Sequence, residues 1–117
     1  MTINSVVDAA LSAVLANTWA DELPENPTFP AIVFEIDTQP EESWVLGGGY
    51  NQHTVTIFIL ARSKAAITAA GGLLQLVDAA MAQITGYMYD DGNGVAAYED
   101  DASVYAHYTN YVIRLPV

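Results

Sequence analysis

The chain contains no cysteine, which excludes disulfide bonds and thiolate metal sites. Basic residues are almost as scarce: 3 Lys and Arg stand against 14 Asp and Glu, a formal net charge of -11. No lysine or arginine precedes Arg62, and none falls between Lys64 and Arg114. Nucleic-acid binding that ignores sequence rests on cations neutralising phosphates, so such a surface repels DNA and RNA. It repels anionic lipid headgroups for the same reason. No run approaches the ~18 uninterrupted apolar residues of a membrane span. The apolar N-terminal residues lack a positive flank and enclose Asp8, unlike a secretory signal. A soluble protein that does not bind membrane is expected.

What is present is apolar. Hydrophobic residues make up 52% of 117, enough for one buried core and too short a chain for a second, so residues 1–117 read as a single domain. Ile3, Val6, Val7, Ala10, Leu11, Val14 and Leu15 recur at helical spacing. They predict an amphipathic helix over 3–17, with Thr2 or Asn4 as N-cap. Residues 18–30 carry Pro24, Pro27 and Pro30 and read as a connection without a regular element. Ile32, Phe34 and Ile36 alternate with Val33, Glu35 and Asp37 in a half-buried strand over 31–38, which Pro40 is expected to stop.

A polar loop over 39–50 follows, interrupted by Trp44, Val45 and Leu46 and ending in Gly47, Gly48, Gly49 and Tyr50. A second strand spans about 52–61; its second face becomes apolar toward the end, which suits a central strand. The 3.6 period of Ile67, Ala70, Leu74, Val77, Met81 and Ile84 predicts one long helix over 64–85. Gly71 and Gly72 weaken it and are expected to serve close packing, and Gly86 ends it. The residues Asp90–Gly94 form a turn signal, followed by strands over 95–99 and 104–115. The fold class expected is α+β: a mainly antiparallel four-stranded sheet with two helices packed on one face.

No constellation supports catalysis. Asp91, Asn93 and Gly94 with Asp100 resemble part of a calcium loop, but Tyr89 stands where the first carboxylate belongs. A solvated turn is the simpler reading. Adjacent carboxylates at Asp21-Glu22, Glu41-Glu42, Asp90-Asp91 and Glu99-Asp100-Asp101 do not face one another across a cleft as a glycosidase pair must. His53 and His107 lack a nucleophile motif and read as strand-face residues. The glycine triplet has no lysine after it, so it is a hinge rather than a phosphate loop. No enzyme, metal or cofactor is expected. Trp44, Val45 and Leu46 must either fold back on their own core or dock on another chain. The tyrosines of the last third suit a partly wet strand surface or a subunit interface.

Taken together, the amphipathic first helix, the proline-rich lead into "PAIVFEI", the long loop, "TVTIFILARS", the Ala/Leu helix and the closing "YVIRLPV" resemble the tail-terminator (tail-completion) proteins of long-tailed bacteriophages. The resemblance runs through nearly the whole chain. It implies a structural virion protein at the head–tail interface, assembled in the host cytoplasm. It further implies a ring, usually of six copies, that ends the tail tube. Its partners would be further copies of itself, the tail-tube protein and a head-completion or neck protein, with genomic DNA passing through unbound. On this view Trp44, Val45, Leu46, Gly47, Gly48, Gly49 and Tyr50 are candidates for a subunit or tube contact. Glu99, Asp100 and Asp101 are candidates for an acidic lumen or rim. The alternatives are another connector component, such as a head-completion or tail-tube subunit, or a small metal-dependent enzyme.

Overall fold

The computed structural model describes residues 2–41, 50–98, 101 and 103–116. In chain order the elements are α1 (Ile3–Val14), β1 (Thr18–Ala20), β2 (Ala31–Glu41), β3 (Tyr50–Ala61), α2 (Lys64–Thr68), α3 (Leu73–Ala82), β4 (Tyr87–Ala96) and β5 (Tyr105–Pro116). The sheet has five strands rather than four, in the order β1-β2-β3-β5-β4. It is mixed: β1 lies parallel to β2 and every other pairing is antiparallel. The expected α+β class and the packed helices hold. The strand count was short by one.

The first helix forms as its apolar stripe predicts, and Thr2 is the cap: its hydroxyl accepts from the Ser5 N–H at 3.2 Å. The helix stops at Val14, three residues earlier than expected. The Thr18 hydroxyl donates to the Leu15 carbonyl at 2.6 Å, and the Asn17 amide donates to the carbonyls of Thr28 and Pro30. Asn17 is thereby committed to the connection instead of the helix.

That connection is not free of regular structure. Thr18–Ala20 pairs with Ile32–Phe34, and three residues with no alternation of their own become a strand only because β2 supplies the partner. Further on, Leu23 and Phe29 turn back over the second face of the sheet. There they meet Val33, Phe58, Leu60, Val104 and Ala106 in a small second core. This explains the apolar second face of β3, which is indeed the central strand.

The main core lies on the other face. Val7 and Leu11 of α1, with Ile67, Val77 and Met81 of the following helices, pack on Ile32, Phe34, Val55, Ile57, Ile59, Tyr111 and Ile113. The segment Lys64–Ala82 has the length and hydropathy of a membrane span, but it is not one helix. It breaks at Ala69–Gly72, where Gly71 adopts φ +75° and Gly72 extended backbone. A methyl on Gly72 would stand 2.9 Å from three carbonyl oxygens of the preceding turn. The two glycines therefore make a corner between helices, and the expected single helix is corrected accordingly.

Two further corrections share a cause, the direction in which backbone groups point. Pro40 does not stop β2, which runs on to Glu41. The Ile32 N–H donates to Asn17, and the Phe34 carbonyl accepts from Asp21, so even-numbered residues of β2 face away from β3. By strict alternation Pro40 also faces outward, and its missing N–H costs no ladder bond. The connection between β2 and β3 accordingly shrinks from 39–50 to 42–49.

The Asp90–Gly94 turn signal likewise lies inside a strand. β4 runs from Tyr87 to Ala96, with its register against β5 shifting between Asp90 and Asn93. The Asp90 carboxylate accepts the Gly92 N–H at 2.8 Å while Gly92 takes φ +101°. The local turn chemistry is real, but an edge strand absorbs it as a bulge.

Candidate functional site

Two strands give the molecule its long dimension. β2 and β3 pair from Ala31↔Leu60 to Glu41↔Tyr50, and β5 continues alongside to Pro116. The main core reaches Ile113, with Leu115 packed against it, and β2, β3 and β5 run on together to Glu41, Tyr50 and Pro116 in a molecule 53 Å long. Residues 42–49 join the two strands at its tip. Of the sequence candidates, Tyr50 opens β3 opposite Glu41 and Pro116. Trp44, Val45, Leu46, Gly47, Gly48 and Gly49 lie outside the described residues, as do Glu99 and Asp100.

Asp101 is described, and it is engaged. Its carboxylate accepts from the Ser103 hydroxyl and backbone N–H at 2.7 and 2.9 Å, and Arg62 reaches it at 3.2 Å. Ser103 first and Arg62 second hold this carboxyl below its usual range. The Arg62 guanidinium also lies over the Phe29 ring, 5.3 Å from its centre, and Phe29 meets Tyr98 edge-on at 5.6 Å. One of three cations therefore secures the turn before β5 to the covering segment of the second core.

The face of the sheet away from the helices is polar beyond that core. Glu35 and Asp37 are exposed on it, beside a Thr56–Asn110 hydrogen bond of 2.8 Å and an Arg114–Gln52 bond of 3.1 Å. These two carboxylates were not singled out from sequence; their alternation with Ile32, Phe34 and Ile36 was the available signal.

Both edges of the sheet are open, and they differ. On one side β1 covers β2 only as far as Phe34, leaving the outward groups of Ile36 and Thr38 without a strand partner among the described residues. On the other side lies β4, bulged and carrying exposed Met88, Tyr89 and Val95. Near it a hollow of about 240 Å³ opens between α2 and the β4–β5 end, lined by Lys64, Ile67, Val95, Val104, Tyr105 and His107, among others. A second hollow of about 260 Å³ lies on the opposite face beside Asp21, Glu22, Leu23 and Phe58. Among the described residues no group of three or more His, Asp or Glu side chains could hold a metal ion.

The histidines are strand residues, as expected. His107 contacts the Asn93 amide oxygen at 3.2 Å. His53 is buried, its Nδ1 2.7 Å from the Thr38 hydroxyl, and burial lowers its pKa. A lowered folded pKa means that the unfolded chain takes up the proton first, so stability present above pH ~6.5 is lost as pH falls. We expect urea midpoints to decline from pH 7 to 5.5, and the decline to flatten in His53→Gln. Parallel slopes in the two proteins would refute the assignment.

A family model for "Tail completion protein gp17" matches residues 6–99. No curated protein matches the chain. Among solved structures, a chain of the "Virion of native gene transfer agent (GTA) particle" superposes with a TM-score of 0.63 at 12% identity, covering 98% of this chain and 95% of that one. That likeness is one of fold. With the open edges and polar face in place, the family match carries the identification: the chain belongs to the tail completion protein gp17 family and is a structural protein of the phage-type virion tail.

Proposed function

We propose that the chain forms a ring of six copies that ends the tail tube and joins it to the head or neck. The ring leaves a channel for DNA. The supporting observation is a sheet with two unlike open edges. Unlike surfaces can meet only head to tail, and head-to-tail contacts that close on themselves make rings. Its partners are other copies of itself, the tail-tube protein and a head-completion or neck protein, with assembly in the host cytoplasm. Glu99, Asp100 and Asp101 face the lumen or rim, where negative charge keeps passing DNA from sticking. Asp101 contributes less there than its neighbours, because Arg62 already balances it.

In this ring Trp44, Val45 and Leu46 contact a neighbouring subunit or the tube, on the hinge of Gly47, Gly48 and Gly49 that leads into Tyr50. Six chains of 12.6 kDa give about 76 kDa, which light scattering and electron micrographs of purified protein would reveal. Trp44→Ala removes a large aromatic anchor, worth about 2 kcal/mol, and should weaken assembly roughly 30-fold. Unchanged ring formation and tail joining in that variant would sink its assigned role. A monomer at every concentration, alone and with tail tubes, would sink the ring.

A further inference from the structure

We infer that the hollow between α2 and the β4–β5 end of the sheet receives the Trp44-Val45-Leu46 segment of a neighbouring copy, an assignment that rests on the ring proposed above. The hollow measures about 240 Å³, below the ~300–1,000 Å³ of small-molecule sites and suited to one or two large side chains. Its lip is apolar and uncovered: Val95 is 75% exposed and Tyr105 52%. Isolated exposed apolar residues need no explanation, but two beside a partly apolar hollow form a receptive surface.

Charge favours the same occupant. Of the three cations, Arg62 pairs with Asp101 and Arg114 bonds Gln52 on the opposite face. Lys64 stands at the hollow, and its ammonium has no ion pair among the described residues. The apolar triplet is preceded by Glu41 and Glu42. A segment that is acidic and then apolar thus meets a surface that is basic and apolar.

Geometry excludes the chain's own tip. The hollow lies at the Ala61↔Tyr105 end of the ladder, whereas the tip lies beyond Tyr50↔Pro116. The eleven residue steps from Tyr50 to Ala61 span about 36 Å at ~3.3 Å per residue. Eight residues joining Glu41 to Tyr50 have chain enough for at most about 15 Å out and back at ~3.5 Å per residue, less than half that span. A tip at one end and its receptor at the other define a head-to-tail contact, so each copy would grip the next.

The absence of cysteine allows a clean test in the full-length chain. Trp44→Cys and Val95→Cys are combined in one chain, and also prepared singly and mixed, then oxidised under conditions where light scattering reports assembly. Val95 is exposed enough for its substitution to spare the fold. The expected result is a ladder of covalent multimers from the double variant and dimers from the mixture. Pairing Trp44→Cys with Leu76→Cys, exposed on α3, should give none. Lys64→Glu should weaken assembly about tenfold, and adding Glu42→Lys should restore it. Assembly without a 44–95 crosslink, or with crosslinks only to position 76, overturns this docking and leaves the ring standing. Absence of any assembly by the unsubstituted chain overturns both.

Discussion

Gly86→Ala should destabilise the protein by about 2–4 kcal/mol, lowering its Tm by roughly 10 °C. Gly86 sits between α3 and β4 with φ +95°, a conformation that resists any Cβ. Its carbonyl accepts the Arg114 N–H at 2.9 Å, bringing the two backbones into direct contact. An added methyl would overlap the Arg114 carbonyl oxygen and stand 2.9 Å from a methyl carbon of Leu115. Conformational strain and steric overlap therefore act together. Gly92 separates them: it has a similar φ of +101° but nothing within 4 Å of an added Cβ. Gly92→Ala should cost only about 1–2 kcal/mol. Urea denaturation of both variants checks this, and equal losses would mean that the contact at Arg114 is immaterial.

The second large effect is expected at Tyr111. Its ring is fully buried between the sheet and α3, near Tyr87 at 6.2 Å, and its hydroxyl donates to the Asp78 carboxylate. Tyr111→Ala should cost about 3–5 kcal/mol, because ring-sized space opens in the core. Tyr111→Phe keeps the ring and removes the donor, leaving a carboxylate short of its partner at about 1.5–3 kcal/mol. If the two variants lose the same stability, the ring contributes nothing beyond its hydroxyl and the packing argument fails. Burial first, and the Asp78 bond second, raise the pKa of Tyr111. The unfolded chain therefore releases this proton first, and stability should fall as pH climbs past ~10. Tyr111→Phe should lose that alkaline slope.

Several elements were legible because their signal is local. The stripe from Ile3 to Leu15 specifies a helix with one buried face, and Val7 and Leu11 are the residues it buries. Alternation over Ile32–Ile36 and Val55–Ile59 specifies which side of each strand meets the helices. The elements that were missed owe their form to a neighbour. β1 is a strand because Ile32–Phe34 lies beside it. Pro40 is tolerated because its nitrogen faces an edge rather than a partner. The Asp90–Gly94 turn became a bulge because β5 pairs on both sides of it. Gly71 and Gly72 broke a helix whose apolar period continues through them, since period records which side is buried and not whether the axis is straight.

The candidate site divides in the same way. An apolar triplet beside two carboxylates is visible in any reading of residues 41–46. The hollow at Lys64, Val95 and Tyr105 is not, because its walls come from segments some forty residues apart that only sheet pairing and the α2 corner bring together. By itself the sequence determined the absence of thiol chemistry, the acidic surface, the faces of the main helices and strands, and the family pattern. Each of these follows from composition or short-range periodicity. Tertiary structure alone decided the fifth strand, the corner between helices, the two unlike edges and the distance from tip to hollow. Those depend on which backbone groups find partners across the sheet, and no local window of sequence contains both members of such a pair.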